Sequence, residues 1–182
     1  MWALRRDASR RALENAMTIE RGQHAPLPDQ DFADAEGSEH NLHRLLESGP
    51  LLLGIYKSSC ASSKQMFPFL ERLNERYGGD GLTVRGVAQD SANITRSFAR
   101  RHGISFPIVL DDDDYPISRA FDIMATPTIF LIDRDGTVTY TTMGFMKPGL
   151  DALGDAVADA LGKPHEPLVT DADADVPMFV PG

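Results

Sequence analysis

The sequence predicts an α/β protein with a central mixed β-sheet and helices on both of its faces. Short apolar runs alternate with amphipathic stretches of helical period, the pattern of strand–helix–strand units laid into one sheet. The run "LLLGIY" (51–56) is apolar at every position instead of alternating, as expected of a strand covered on both sides. Near the other end, "TIFLID" and "TVTYTT" flank Arg134-Asp135-Gly136, and Asp-Gly between two β-rich runs signals a tight hairpin. The sheet should therefore be parallel at first and antiparallel through the hairpin.

Element by element, residues 1–23 should form a helical extension docked on its own domain or on a second subunit. Residues 22–39, rich in Pro, Gly and acids, read as an irregular lead-in, and "HNLHRLLES" as a short helix stopping at Gly49-Pro50. After the 51–56 strand, "CASSKQMFPFLERLNERYG" is a helix with Met66, Phe67, Phe69, Leu70 and Leu73 on its apolar face. "LTVRGVAQD" (82–90) is a second strand, and Asp90 or Ser91 should cap the helix "ANITRSFARRHG", which stops at Gly103. "FPIVLDDDD" contains a third strand and "YPISRAFDI" a short helix. "PGLDALGDAVADALG" closes the domain as a helix with Pro148 in its first turn. The acidic tail 163–182 should be an extended strap or a disordered tail whose "PMFVP" packs somewhere.

The chain has 182 residues, 42% of them hydrophobic and 25% charged, which suits one soluble domain with a full core. A net charge of −9 excludes a nucleic-acid surface, which needs clustered Lys and Arg. No run reaches the ~18 apolar residues of a membrane span. The N-terminal residues lack the apolar core of a secretory signal, so the expected location is cytoplasmic. Cys60 is the only cysteine, so no intrachain disulfide can form, which fits a reducing compartment.

Cys60 follows the buried strand at the first turn of a helix, where unpaired backbone N–H groups and the positive helix end favour a thiolate. The dipole is worth only about 0.3–1 kcal/mol, less than one pKa unit, so a larger effect needs hydrogen bonds from backbone N–H, Ser62 or Ser63, or help from Lys57 or Lys64. Position alone leaves a reactive thiol and a buried structural cysteine about equally supported.

Three further features bear on the choice. Pro68 lies inside the helix that follows Cys60, Thr126-Pro127 opens a strand, and "ATPTIFLIDRDGTV" (125–138) is followed by Gly144 before the last helix. With the lead-in "APLPDQDFADAEGSEHNLHRLL", this set resembles the thioredoxin superfamily, closest to its redoxin branch (AhpC/TSA-like and TlpA-like), over about residues 24–162. The resemblance implies a thioredoxin-like fold and a cis proline at Pro127 lying against the reactive cysteine. Ser59, Thr126 and Pro127 would then form the substrate-docking surface. It also implies thiol chemistry at Cys60. Ser63 lies three positions after Cys60, so on a helix the two side chains share one face and its hydroxyl can donate to the thiolate.

The sequence departs from that pattern. Ser63 stands where a CxxC motif has its second cysteine, and Gly54 where thioredoxin has a buried proton-accepting acid. Lys57 stands where peroxiredoxins carry Thr or Ser, and "MATPT" lacks their arginine, leaving only Arg96 or Arg119 as distant candidates. The expected function is a monothiol oxidoreductase whose Cys60 adducts are resolved by an external thiol, glutathione-like or thioredoxin-like, or by Cys60 of a second subunit in a homodimer. Its substrate would be a protein disulfide. A one-cysteine peroxidase and a non-catalytic partner-binding module are the alternatives.

No cofactor or metal is expected. "DDDD" (111–114) reads as a solvated loop with a helix cap, and "DADAD" (171–175) fails as a calcium loop because Val176 stands where Gly is required. His24, His40, His43, His102 and His165 show no ligand spacing with Cys60 and are expected at the surface or in the lead-in.

Overall fold

The computed structural model describes residues 19–182. The predicted N-terminal helix lies almost wholly outside that range. A central sheet of five strands has the order β5-β4-β3-β6-β7. Strands β3 (Leu51–Tyr56), β4 (Thr83–Ala88) and β5 (Ile108–Leu110) run parallel, while β6 (Thr128–Ile132) and β7 (Val138–Met143) are antiparallel. Thus β3, apolar throughout, sits at the sheet's centre with every residue buried. Its alternate side chains feed two cores.

Leu52 and Tyr56 face α2 (Ala61–Tyr77), α3 (Ala92–His102) and α5 (Leu150–Leu161), with Phe67, Leu70, Phe98, Leu153 and Val157 in the same cluster. Leu51, Leu53 and Ile55 point the other way, onto Phe32, Leu42, Ile117 and Phe121 from the lead-in, α1 (Leu42–Leu45) and α4 (Pro116–Ala120). Helices cover both faces, and the fold is thioredoxin-like. The β6–β7 hairpin turns at Gly136, whose φ of +85° is the left-handed conformation that glycine adopts at little cost.

The lead-in is not irregular. Strands β1 (Asp31–Ala33) and β2 (Glu39–Asn41) form a hairpin. Its turn is built by Asp34, whose carboxylate accepts the N–H of Glu36 and of Ser38, both at 2.9 Å. The helix expected over "HNLHRLLES" is accordingly short, because His40 and Asn41 belong to the strand and Asn41 caps Leu42–Leu45 through a bond from Arg44 N–H.

The tail folds back as a strap. Leu168 is fully buried in the larger core. Asp173 takes a bidentate ion pair from Arg72 of α2 at 2.6 and 2.7 Å. Then β9 (Phe179–Val180) pairs antiparallel with β8 (Phe145–Met146). Of the acidic run 111–114, Asp111 is buried and takes the N–H of Ile117 and Ser118, so it is a cap rather than a solvated residue. No helix among the described residues is long and apolar enough to cross a membrane.

Candidate active site

Cys60 is the N-cap of α2, with extended backbone (φ −75°, ψ 126°). The loop from β3 to this cap is fixed at both ends. Gln89 N–H donates to Tyr56 O at 3.1 Å, Cys60 N–H to Lys57 O at 3.1 Å, and Ser58 N–H to the Asp90 carboxylate at 2.7 Å. Of the two expected cap residues, Ser91 occupies the cap position of α3, while Asp90 is diverted to the Cys60 loop. Facing the cap is the Ala125–Thr128 loop, whose Thr126–Pro127 peptide is cis. This loop is tied down by Thr128 Oγ1 donating to Ala125 O at 2.8 Å and by Gly144 N–H donating to Pro127 O at 2.8 Å.

The two segments, 66 positions apart in sequence, meet at one oxygen. The Cys60 thiol donates to Thr126 O at 3.0 Å, and the Ser62 hydroxyl lies 3.2 Å from the same oxygen and 3.1 Å from Sγ. Ser62 has one proton and two acceptors within reach. In the thiol form Sγ–H satisfies Thr126 O. Once Sγ is ionised, the Ser62 proton can turn to the sulfur.

Burial pushes the Cys60 thiol up, but the Ser62 hydroxyl, the backbone N–H groups of Ser63 and Ser62, and the Thr126 side chain outweigh it, so the pKa lies below the ordinary thiol value. The cap geometry explains the donors. Cys60 makes no side-chain cap hydrogen bond, and the unpaired N–H groups of Ser62 and Ser63 favour negative charge at the helix start, where its sulfur lies. Lys57 and Lys64 are both exposed, and hydrogen bonds rather than lysines are the leading causes of the shift.

Residues 21–174 match the Redoxin family. The chain belongs to that family. Among curated relatives it is 31% identical over 121 residues to the thiol-disulfide oxidoreductase ResA of Geobacillus thermodenitrificans, covering 65% of this chain and 68% of that one. It is 28% identical over 132 residues to the thioredoxin-like protein YneN of Bacillus subtilis, covering 70% and 74%. A crystal structure of a candidate thiol:disulfide interchange protein DsbE from Chlorobium tepidum superposes with a TM-score of 0.71 at 26% identity, over 80% of this chain and all of that one.

In this redoxin Ser63 sits differently from the hydroxyl donor expected of it. Its side chain is fully buried and its Oγ has no hydrogen-bond partner. The contact to Sγ comes from Ser62 instead, because Cys60 is an extended cap residue and not part of the helix, so helical three-residue spacing does not govern it. Ser59 is exposed on the loop beside Cys60, and Thr126 and Pro127 border the sulfur.

Gly54 has no room for an acid. A Cβ there would lie 2.8 Å from Leu70 Cδ1 and 3.3 Å from Phe67 Cζ. Of the two arginines in question, Arg96 is engaged by Ala35 O and Asn93, and Arg119 by exposed Asp114, so neither is among the sulfur's partners. His40 bonds the Asp34 carboxylate at 2.7 Å and His165 that of Asp159 at 2.7 Å. Among the described residues no three His, Cys, Asp or Glu side chains form a group that could hold a metal ion.

Proposed function

We propose that this redoxin is a thiol–disulfide oxidoreductase with one nucleophile, Cys60, whose adducts are released by an external thiol. The observation that carries the reading is the place of the thiol at the N-cap of α2, with the Ser62 hydroxyl 3.1 Å from Sγ as a donor to the ionised sulfur. Such surroundings favour the thiolate, which is the attacking species in disulfide exchange. The names of the ResA and DsbE relatives point to the same chemistry.

In the first step the Cys60 thiolate attacks one sulfur of a disulfide R–S–S–R′. A Cys60–S–S–R bond forms, the R′–S⁻ leaving group departs, and it takes a proton from water. A thioredoxin-type CxxC motif would now close internally. Ser63 offers a hydroxyl, which cannot displace a thiolate from sulfur, so an external thiolate R″–S⁻ attacks the mixed disulfide. That step forms R″–S–S–R and returns the Cys60 thiolate.

Room for a small thiol exists beside the loop, in a cleft of about 360 Å³ lined by Ser58, Lys64, Asn93, Arg101 and His102. Lys64 and Arg101 give it two cations that suit a carboxylate-bearing thiol of the glutathione kind. A lone thiol of this type works in a reducing compartment such as the cytoplasm, where that thiol is abundant.

The test is catalysed exchange between a peptide disulfide and glutathione. The wild type should accelerate it and Cys60→Ser should not. Equal rates for the two proteins would refute the function.

A further inference from the structure

The last described residues lie against Thr126 O, the oxygen that accepts the Cys60 thiol. Strand β9 pairs with β8 (Phe145 opposite Val180, Met146 opposite Phe179), and Lys147 N–H donates to Met178 O at 2.9 Å. Beyond the strand the chain reaches the cis-proline loop. A methyl group built on Gly182 would lie 2.9 Å from Thr126 O, 3.4 Å from Ala125 Cβ and 3.4 Å from Gly144 Cα. Such closeness to backbone is open only to glycine. Gly144 is equally confined, since a Cβ there would meet Gly182 N at 3.3 Å and Val180 O at 3.5 Å. Thr126 O thus accepts the Cys60 thiol and also lies where a side chain on Gly182 would begin.

The segment before this contact is held far more firmly than the segment that makes it. Leu168 is buried, Asp173 is paired with Arg72, and Lys147 Nζ donates to Asp173 O and Val176 O. After Val176 no buried ion pair follows, and the attachments are the short β8–β9 ladder with the Lys147 N–H bond, the partly buried Val180 and the close approach of Gly182 to the cis-proline loop. Met178 and Phe179 are more than half exposed, as are Met124, Met143 and Met146 around the same edge. Unbranched methionines form an apolar surface that re-packs around different side chains.

We propose that residues 178–182 are a displaceable strap occupying the seat of the substrate, and that the substrates which displace it are disulfide-bearing polypeptides in extended conformation with apolar residues beside their cysteine. The inference rests on the thiol–disulfide function proposed above. It deepens that function by naming the substrate class. An incoming strand would take over the backbone groups of Phe145 and Met146 that β9 now uses, by strand addition to an open edge, and lay its apolar side chains on the methionines. A small disulfide needs none of these contacts.

The experiment compares the full chain with a version ending at Pro177, which keeps the Leu168 and Asp173 anchors. Second-order rates of Cys60 are measured with an extended, apolar peptide disulfide and with dithiobis(nitrobenzoate). Removing the strap should raise the peptide rate about tenfold, the factor that one or two net backbone hydrogen bonds are worth, while the small reagent changes less than about twofold. Val180→Asp in the full chain should act the same way by expelling the strap. A synthetic peptide of residues 176–182 should slow the shortened protein again.

Equal acceleration of both reagents, or no acceleration of the peptide in either variant, overturns the strap. In that case normal reaction of wild-type Cys60 with the small reagent leaves the proposed function standing. A Cys60 that reacts with neither reagent overturns both.

Discussion

Replacing Ser62 by alanine should disarm Cys60, and replacing its neighbour Ser63 should not. The Ser62 hydroxyl is 3.1 Å from Sγ and is the foremost group holding the thiol below its ordinary pKa against burial. A hydrogen bond to a charged group is worth about 1.5–3 kcal/mol, and Cys60 is only half-buried, so the lower figure applies. About 1.4 kcal/mol is a factor of ten in an equilibrium. Below the midpoint of titration, the thiolate fraction of Ser62→Ala should therefore fall about tenfold.

The alkylation rate should fall less, by about threefold, because a more basic thiolate is a better nucleophile with a Brønsted slope near 0.4–0.5. Ser63→Ala removes an oxygen that bonds nothing and leaves its backbone N–H in the first turn of the helix, so both quantities should stay within about twofold. Thiolate absorbance and iodoacetamide kinetics across pH read the two effects separately. An equal response from Ser63→Ala, or none from Ser62→Ala, would refute the assignment of donors.

Ser63→Cys should produce an internal disulfide with Cys60 on mild oxidation and shorten the life of any mixed disulfide, read by intact mass. Gly54→Asp should lower stability by more than about 3 kcal/mol, because its side chain must displace Leu70 and Phe67 and bury an unpaired carboxyl; a thermal melt reads it. Arg72→Met leaves the Asp173 carboxylate buried with only Thr170 as donor and should cost about 3 kcal/mol in denaturant unfolding. Arg72 holds Asp173 well below the usual carboxylate range, so the stabilisation is complete above the unfolded value near 4 and is lost as pH falls below it. Arg72→Met should flatten that acid limb.

The fold was legible where the pattern was local. An apolar run without alternation marked β3 as central, Asp-Gly marked the β6–β7 turn, and the spacing of Met66 to Leu73 marked the buried face of α2. The meeting of Cys60 with Thr126 spans 66 residues and came from the family resemblance, since no periodicity encodes it. The β1–β2 hairpin escaped, and the tail was left open between a strap and a disordered end, for a different reason: side chains set them. Asp34 builds the β1–β2 turn with its own carboxylate, and the tail is fixed by Arg72 and Asp173, which are 101 positions apart. Ser62 was overshadowed by Ser63 because the three-residue rule belongs to helix interiors, whereas Cys60 caps the helix from outside it.

The most direct measurement is intact mass spectrometry of the protein after oxidised glutathione is added and then removed. Cys60 should carry one glutathione that persists until a free thiol is supplied and then leaves, returning the starting mass. Cys60→Ser should carry none. A wild-type protein that forms no adduct, or sheds it with no thiol present, contradicts a single nucleophile resolved from outside.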